Sequence, residues 1–442
     1  MSTTTGMQLS GKRFAGIDIP VGLTQANYFN LYFASWIMGC LMTIPTVIQP
    51  AFLKEVVKIP EGLTGSINAG LQNMGQIATL LLIGLVGIAS DRYGRKILIV
   101  AGFAFCIVFY PVFGHSSDIA AALGLESSEW HLIIVYLSRF MLGIGLVLSH
   151  PQFVTLVADY TTAEGRGKGM ALHAIMMSLG TLCVYGLFTQ MAAVIGIIGA
   201  FYAGGALGLA GILVALSGLV DRIGKSHAVK TDIREIYRLV LRSFPLRAAY
   251  ITGFVTRANI SLTSTLIIVW MVSMAGKFGY TPLQATARAG VIMMVGNVFS
   301  ILSFYIIGIL LDRVGRLPVL ISALILTGAG YFLIATIDDP FSNLMFLYVS
   351  LLGFAKNGAI VAANTLASDV TPRHCLGSAL GVLNTVGTLG IIFFLQVCGY
   401  LFDSISHQSP FVFKGAVDAA CGIWIFIARK KIISMKKEGQ TL

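Results

Sequence analysis

Residues 87–96 read Gly-Ile-Ala-Ser-Asp-Arg-Tyr-Gly-Arg-Lys, and residues 308–316 read Gly-Ile-Leu-Leu-Asp-Arg-Val-Gly-Arg. Both stretches follow a long apolar run, and both place glycine, aspartate, arginine, glycine and arginine at the same spacing. A further match pairs Asp159 with Asp369 and Gly167 with Gly377 at one constant offset. Internal matches in the same order along the chain indicate two copies of one structural unit.

The composition excludes an ordinary water-soluble domain. The chain has 442 residues, of which 56% are hydrophobic and 11% are charged, and its mean hydropathy is +0.84. Soluble domains carry about 25% charged residues. A bilayer core about 30 Å thick needs roughly 20 apolar residues for each helical span. The sequence therefore predicts an all-α integral membrane protein.

Apolar runs interrupted by Gly, Pro and charged residues predict twelve membrane-spanning helices. The predicted spans are 26–49, 64–89, 97–114, 131–157, 169–193, 196–219, 247–274, 286–311, 318–336, 341–367, 377–402 and 411–428. The first 25 residues are polar and contain no short apolar core followed by a cleavage site. We therefore expect no removable signal peptide.

The basic residues indicate how the helices are oriented. An even number of spans places both termini on one side, and most of the 30 Lys and Arg residues fall in the loops of that side. Because cytoplasmic loops are enriched in Lys and Arg, we expect both termini in the cytoplasm and a bacterial inner membrane as the location. Topology accounts for the net charge of +11, and no nucleic-acid partner is expected.

The repeat predicts two helical bundles, residues 1–219 and 247–442, joined by a cytoplasmic linker at residues 220–246. In the linker, apolar side chains recur at helical spacing on one face and arginines recur on another. They are Ile233, Tyr237, Val240 and Phe244, with Arg234, Arg238 and Arg242. The pattern predicts an amphipathic helix on the inner leaflet, and a solvated linker is the alternative.

The repeated loop resembles the signature of the major facilitator superfamily, in which G-x-x-x-D-R-x-G-R-[KR] joins helices 2 and 3. With the twelve spans and the long central loop, the resemblance covers essentially the whole chain. It implies two pseudo-symmetric six-helix bundles around a central cavity that is lined by helices 1, 4, 7 and 10. It also implies a secondary transporter whose bundles rock to expose one site to each side in turn.

The same resemblance implies a gating role for residues at the inner helix ends. They are Gly87, Asp91, Arg92, Gly94, Arg95, Asp159, Asp312, Arg313, Arg316 and Asp369. We expect Gly87 to let another helix approach closely and Gly94 to permit a tight turn. Asp159 and Asp369 should pair with nearby arginines, and such pairs should latch the two bundles. The alternative is that these charges only set the topology.

Two cations deep in predicted spans indicate the kind of solute. Arg257 lies about ten residues into span 7 and Lys356 about fifteen into span 10, which places both near the midplane at about 1.5 Å per residue. Of the 19 Asp and Glu residues, only Asp418 is expected inside a span, where Lys414 can pair with it. Buried cations without an acid favour an anionic ligand, and hydration by cavity water is the alternative.

Six further residues in predicted spans are candidates for substrate binding. They are Arg139, within an R-x-x-x-G-x-G element of span 4 that the superfamily shares, Tyr32 and Trp36 in span 1, Ser261 in span 7, Asn357 in span 10 and Asn384 in span 11. An arginine within the membrane is costly and suggests function, although pairing with carbonyl groups is the alternative. Packing is the alternative for the aromatic residues, and interhelical hydrogen bonds for the polar ones.

His150 is the candidate proton carrier because histidine titrates near neutrality, and a hydrogen bond across helices is the alternative. The six cysteines form no CxxC pair, so neither a metal nor a cofactor is expected. The sequence has no P-loop, nucleophile elbow, HExxH or dinucleotide fingerprint, so an enzyme is not expected. The expected partners are a small-molecule substrate, the lipid bilayer and a coupled proton, and we expect a monomer.

Together these patterns predict a secondary active transporter for a small organic solute, an anion or zwitterion, that is coupled to protons. A broad-specificity drug/proton antiporter is the alternative that the aromatic residues of span 1 favour. Drug antiporters of the superfamily have G-x-x-x-G-P-x-x-G-G in helix 5, whereas residues 169–190 contain no proline. A non-transporting receptor or a lipid scramblase on the same scaffold is the remaining alternative.

Overall fold

Helices make up nearly all of the described chain. The computed structural model describes residues 9–125, 128–162, 164–221, 239–241, 243–372 and 375–439. Two strands come first, β1 Leu9–Phe14 and β2 Ile17–Pro20. The next helices are α1 Gln25–Phe52, α2 Thr64–Tyr93, α3 Arg95–Gly114, α4 Ser116–Ala122, α5 Ser128–Tyr160, α6 Arg166–Cys183 and α7 Thr189–Gly218. The last are α8 Phe244–Thr256, α9 Ala258–Met274, α10 Pro282–Arg313, α11 Arg316–Ala335, α12 Leu344–Val370, α13 Leu376–Ser404 and α14 Ser409–Gly439.

Eleven helical segments of the described residues are long and apolar enough to cross a membrane. The longest, Arg166–Gly218, has 53 residues. At about 1.5 Å per residue it would measure about 80 Å if straight, well beyond a bilayer core of about 30 Å. Gly196 interrupts it with a φ of 77°, which glycine adopts without strain. The segment therefore holds two crossings, which agrees with the division predicted between residues 193 and 196.

A β-hairpin that the apolar pattern did not predict precedes the first helix. Ala15 and Gly16 join the strands with φ values of 48° and 75°. Two consecutive positive φ values are typical of a type I′ turn. Ile19 of the second strand is fully buried, and the ring of Phe14 stacks on Tyr32 of α1 with 5.9 Å between centroids. Apolar contacts with α1 thus anchor the hairpin.

The chain divides into two compact units. Unit 1 comprises Met1–Phe52 and Ile77–Ser226, and unit 2 comprises Leu53–Gln76 and His227–Leu442. The predicted bundle limits at residues 219 and 247 stay a prediction. The predicted amphipathic helix falls mainly on residues 222–238 and 242, which lie outside the described residues.

Glycines allow helices to cross closely inside each unit. In unit 1, α3 crosses α5 at Gly102 and Gly145, where a Cβ on Gly102 would lie 2.5 Å from the carbonyl oxygen of Gly145. In unit 2, α10 crosses α12 at Gly296 and Gly353, where a Cβ on Gly353 would lie 2.4 Å from the carbonyl oxygen of Gly296. No side chain fits at these crossings, so the helix contacts depend on glycine. Gly145 belongs to the R-x-x-x-G-x-G element, which therefore includes a packing position.

Hydrogen bonds at helix ends join the first half of α2, and the segment before it, to other helices of unit 2. The carboxylate of Asp403 accepts hydrogen bonds from the backbone N–H groups of Gly65 and Ser66, both at 2.7 Å. Lys54 Nζ donates to the carbonyl oxygen of Val272 at 3.0 Å, near the C-terminus of α9. An acid at a helix N-terminus and a cation at a helix C-terminus both stabilise the helix, because each interacts favourably with the helix dipole.

Candidate functional site

The loop between α2 and α3 requires glycine at position 94. Gly94 has a φ of 99°, and a Cβ there would lie 2.4 Å from Asp221 Oδ2. Asp221 Oδ1 accepts hydrogen bonds from the backbone N–H groups of Arg95 and Lys96, each at 2.9 Å. The carboxylate caps α3 where the helix dipole favours negative charge. The tight turn predicted at Gly94 is confirmed.

Arg95 forms two ion pairs in unit 1. Its Nε lies 2.6 Å from Asp159 Oδ2 at the end of α5, and its Nη2 lies 3.6 Å from Asp91 Oδ1. The Arg95 side chain is 5% exposed and that of Asp159 is 21% exposed, whereas that of Asp91 is 68% exposed. Exposed pairs contribute about 0–1 kcal/mol, so the contact with Asp159 is the stronger one. The pairing predicted for Asp159 is confirmed.

Unit 2 contains a second copy of this arrangement. Gly315 has a φ of 98°, nearly that of Gly94, and Arg316 Nε lies 2.8 Å from Asp369 Oδ2. A Cβ on Gly315 would meet no heavy atom within 4 Å, so among the described residues no acid occupies the position that Asp221 has in unit 1. Asp312 and Arg313 are exposed. The pairing predicted for Asp369 is confirmed inside unit 2, while a latch between the bundles stays a prediction.

Among the described residues, Gly87 makes no close helix contact within unit 1, and its predicted role in gating stays a prediction. Gly87 lies on an exposed part of α2, and a Cβ there would meet no heavy atom within 4 Å. A side chain at this position therefore has open space in the described structure. The guanidinium of Arg92 lies over the ring of Tyr93, 5.2 Å from its centroid.

Gly94→Val should lower the thermal unfolding midpoint more than Gly315→Val. Both variants force a β-branched residue into positive φ, at a cost of about 1–3 kcal/mol. Only Gly94→Val also meets the Asp221 carboxylate and displaces its cap on α3, which adds about 0.5–2 kcal/mol. Asp91→Asn is the control, because its exposed side chain makes only the longer contact with Arg95. Equal losses in the two glycine variants would contradict this account of the cap.

Arg257 sits at a one-residue interruption between α8 and α9. The hydroxyls of Thr252 and Thr256 donate to carbonyl oxygens four residues earlier, at 2.8 and 2.9 Å. Hydrogen bonds of this kind compete with the helical ladder and bend helices. The Arg257 side chain crosses α13 at Gly387, where a Cβ would lie 3.0 Å from Arg257 Cγ. The absence of a side chain at 387 thus makes room for the arginine.

Arg257 lines a small pocket in unit 2 together with residues of α8, α12 and α13. The other lining residues are Gly253, Thr256, Ile360, Ala363, Asn364 and Leu383. Lys356 is 8% exposed and lies one turn before Ile360, or about 6 Å along the axis of α12. Among the described residues, no acidic side chain forms an ion pair with Arg257 or Lys356. Arg257 therefore lines the pocket, Lys356 is buried on a helix that contributes three lining residues, and neither cation is paired with an acid among the described residues.

The other candidates in unit 2 lie apart from this pocket. Asn357 Nδ2 donates to the carbonyl oxygen and to Oγ of Ser300, at 2.9 and 2.6 Å, and so joins α12 to α10. Ser261 is half-buried, and its carbonyl oxygen accepts a hydrogen bond from Ser264 Oγ at 3.1 Å. Asn384 is exposed on α13. Their predicted contacts with substrate stay a prediction, and Asn364 is the asparagine that lines the pocket.

On α1, the aromatic candidates have two different environments. Tyr32 is 3% exposed, packs on the hairpin and donates to the carbonyl oxygen of Gly169 at 3.4 Å. Trp36 is half-buried and stacks on Phe33 at 5.5 Å, and Phe33 stacks on Phe29 at 5.8 Å. The spacing of four and then three residues could have revealed this partly exposed row, which the sequence analysis missed.

The remaining candidates lie in unit 1. Arg139 is 3% exposed and lies near the buried Tyr110 of α3. His150 is half-buried and lies near His173 of α6. The Nδ1 atom of His173 is hydrogen-bonded to Ser35 Oγ at 2.9 Å, so this second histidine has a partner on α1. The roles predicted for Arg139 and His150 stay predictions.

The pair expected within α14 is confirmed. Lys414 Nζ donates to both carboxylate oxygens of Asp418 at 2.7 Å, and both side chains are 0% exposed. The ammonium also lies over the rings of Phe394 and Tyr331, 5.1 and 5.8 Å from their centroids. Because the two charges neutralise each other, Asp418 is not available to compensate Arg257 or Lys356.

The apolar helices, the duplicated loop and the two equivalent ion pairs define a multi-pass membrane protein containing two copies of one unit. The sequence model of the Major Facilitator Superfamily matches residues 31–395 and 255–440. The chain belongs to this superfamily of membrane transporters and has its fold, as the repeated loop predicted.

Several curated proteins are similar over most of the chain. Magnetosome protein MamH of Paramagnetospirillum magneticum is 30% identical over 385 residues, which cover 87% of this chain and 88% of that protein. Magnetosome protein MamZ of Magnetospirillum gryphiswaldense is 26% identical over 92% of this chain, which spans only 63% of its length. Multidrug resistance protein 2 of Bacillus subtilis is 26% identical over 86% of this chain and 89% of that protein.

Solved structures support the same fold at low sequence identity. The crystal structure of a D-xylose-proton symporter has a TM-score of 0.71 and 14% identity, covering 90% of this chain and 96% of that one. The crystal structure of the nucleoside transporter NupG has a TM-score of 0.69 and 14% identity, covering 91% of this chain and 99% of that one.

Proposed function

We propose that this transporter moves a small organic anion or zwitterion by proton-coupled alternating access, and that Arg257 and Lys356 bind its acidic group. The proposal rests on Arg257, which lines the pocket of unit 2, and on Lys356, which is buried one turn before the lining residue Ile360. No acid is paired to either cation among the described residues. A desolvated cation is costly unless an opposite charge compensates it. A carboxylate or phosphate on the substrate would supply that charge.

The two cations can make different kinds of contact with an acidic group. The planar guanidinium of Arg257 can donate two parallel hydrogen bonds to one carboxylate, whereas Lys356 offers a compact charge. Thr256 and Asn364 line the same pocket and add neutral hydrogen-bonding groups. A zwitterion would need an additional partner for its own cation. A relative named as a probable 4-methylmuconolactone transporter, from Cupriavidus pinatubonensis, is 24% identical over 77% of this chain and is compatible with a small organic solute.

In the proposed transport cycle, His150 carries the coupled proton. His150 is half-buried and lies near His173, which is hydrogen-bonded to Ser35. A histidine can exchange a proton near neutral pH, whereas the Lys414–Asp418 pair has no exposed atoms for exchange with water. Transport that is independent of a pH gradient in both wild type and His150→Gln would remove this role.

A broad-specificity drug/proton antiporter is the second candidate. Two observations favour it: the similarity to Multidrug resistance protein 2 of Bacillus subtilis, and the stacked row of Phe29, Phe33 and Trp36. Aromatic faces suit flat, apolar or cationic compounds. The cations Arg257 and Lys356 disfavour a cationic drug at the pocket of unit 2. A non-transporting receptor would bind a solute without moving it, and a lipid scramblase would move lipid instead of a soluble solute.

A thermal-shift screen tests the substrate class. Ligands that bind the folded state raise the unfolding midpoint, and the stabilisation grows with the logarithm of the ratio of ligand concentration to Kd. We expect small organic anions to raise the midpoint of the wild type, and we expect Lys356→Gln to lose most of this response. Lys430→Gln, an exposed cation at the end of α14, is the matched control and should keep it. A response to cations alone, with none to anions, would favour the drug antiporter.

We further propose a bacterial inner membrane as the location, with both termini in the cytoplasm. The positive-inside bias of the loops supports this orientation. The similarity to the magnetosome proteins MamH and MamZ makes a magnetosome membrane the alternative. Fractionation of cells that express a C-terminally tagged chain, followed by protease treatment of intact spheroplasts, distinguishes these membranes and orientations. Cleavage of the tag in intact spheroplasts would contradict the cytoplasmic terminus.

A further inference from the structure

A long groove lies on the surface of unit 2 between α11 and α14. It has a volume of about 610 Å³ and is lined by Leu317, Pro318, Ile321, Ser322, Ile325, Leu326, Phe426, Arg429 and Ile433. This volume falls within the range of roughly 300–1,000 Å³ that is typical of ligand sites. Apart from Ser322 and Arg429, the lining side chains are apolar. The groove is separate from the pocket that Arg257 lines.

Close packing of the two helices beside the groove gives it rigid walls. A Cβ on Gly328 would lie 2.8 Å from the carbonyl oxygen of Gly415, and a Cβ on Gly422 would lie 3.1 Å from Ile325 Cγ1. Small residues thus hold α11 against α14 along this side. The groove is therefore a preformed feature of the helix pair.

Of the described residues that line the groove, Arg429 is the one cation, and it lies between Phe426 and Ile433 on α14. The guanidinium of Arg429 lies over the ring of Phe426, with 4.0 Å between its carbon and the ring centroid. Lys430 and Lys431 follow directly and are exposed. In the part of the chain that the structure describes, no acidic side chain forms an ion pair with these three residues. The charge bias of the loops predicts that this end of α14 lies at the inner face of the membrane.

We propose that this groove is a binding site for an anionic phospholipid, with an acyl chain along the apolar walls and the phosphate at Arg429. The groove lies on helices that cross the bilayer, so hydrocarbon chains have direct access to it. Arginine matches the geometry of a phosphate through two parallel hydrogen bonds. Basic pockets between membrane helices near the cytoplasmic face are suited to anionic headgroups. Charge complementarity at Arg429 separates this occupant from a neutral lipid.

The test compares phosphatidylglycerol with diacylglycerol of identical acyl chains, which lacks the phosphate, on the purified full-length protein in detergent. Bound lipid is counted by native mass spectrometry across a lipid titration. We expect the wild type to bind phosphatidylglycerol about tenfold more tightly, because diacylglycerol cannot accept the charge-assisted hydrogen bond from Arg429. Arg429→Gln should reduce this preference to about twofold or less. Lys430→Gln, next in the chain but outside the groove lining, is the matched control and should keep the preference.

A second variant tests the apolar part of the site. Ser322 is exposed on the groove wall, so Ser322→Trp should fold normally and fill the groove. We expect it to lose both lipids from the tight site. Equal wild-type binding of the two lipids would overturn the proposal, as would a preference that survives Arg429→Gln. If Ser322→Trp instead turns a dimer into a monomer and leaves bound lipid unchanged, the groove is an interface between two copies of the chain.

Discussion

Replacing either member of the buried Lys414–Asp418 pair alone is expected to destabilise the folded protein by about 3–5 kcal/mol. Both side chains are 0% exposed, and the ammonium donates to both carboxylate oxygens at 2.7 Å. Lys414→Met leaves a buried carboxylate without its cation, and Asp418→Leu leaves a buried ammonium without its anion. The thermal unfolding midpoint of the purified protein should fall strongly in both single variants.

The double variant is the decisive control for this interpretation. Lys414→Met combined with Asp418→Leu removes both charges and leaves apolar side chains against Phe394 and Tyr331. Replacement of a buried ion pair by packed apolar residues is often neutral or stabilising by about 1–4 kcal/mol. We therefore expect the double variant to recover most of the stability that either single variant loses. Losses that simply add would show that the two residues act independently and would contradict the account of a neutralised pair.

Arg257→Gln and Lys356→Gln are each expected to weaken binding of an organic anion by about tenfold or more. A hydrogen bond to a charged group contributes roughly 1.5–3 kcal/mol, and each variant removes one such contact while keeping a polar side chain. Neutral analogues that lack the acidic group should lose much less affinity. Isothermal titration calorimetry with purified protein measures both effects, and an unchanged unfolding midpoint without ligand separates a binding role from a structural one.

The double variant distinguishes a shared ligand group from separate contacts. If both cations bind one carboxylate, removing the second should cost less than removing the first, so the two effects should couple by about 0.5–3 kcal/mol. Independent positions more than about 10 Å apart should instead give nearly additive losses. Additive losses would leave an organic anion possible but would remove the two-cation site. Normal anion binding by both single variants would make these cations structural.

Features repeated in the sequence were the most predictable parts of the structure. Gly94 and Gly315 occupy equivalent places in the repeat and have φ values of 99° and 98°. The acids Asp159 and Asp369 pair with Arg95 and Arg316, as expected from the matched order along the chain. Position in the repeat determined both results, because a duplicated unit repeats its backbone conformation and its near neighbours.

Features that depend on distant contacts were much less predictable. Asp221 caps α3 from 126 residues away, and Asp403 caps α2 from 338 residues away. Residues 221–224 share aspartate, arginine and glycine with residues 91–94, which weakly suggests another helix end on the inner side, whereas no such pattern surrounds Asp403. The sequence likewise could not predict that Asn357 pairs with Ser300 of α10, because periodicity identifies a polar helix face but not the helix that packs against it.

The N-terminal hairpin and Gly87 illustrate the same difference. A type I′ turn at Ala15 and Gly16 has no strong sequence signature, since its first position usually holds asparagine, aspartate or glycine. The loop pattern predicted a glycine role at 87, yet open space surrounds that residue in the described structure. A signature identifies where a family places glycine, and only the packed neighbours show what that glycine does.

Counterflow in proteoliposomes shows whether the protein exchanges an organic anion and whether this exchange needs Lys356. Vesicles containing the purified protein are loaded with one unlabelled organic acid at high concentration, and uptake of the same labelled acid from outside is followed. We predict transient accumulation of label by the wild type, its loss in Lys356→Gln and its retention in Lys430→Gln. Accumulation of cationic compounds alone across a matched panel, or anion exchange that Lys356→Gln leaves unchanged, would contradict an anion transporter that binds its substrate at these two cations.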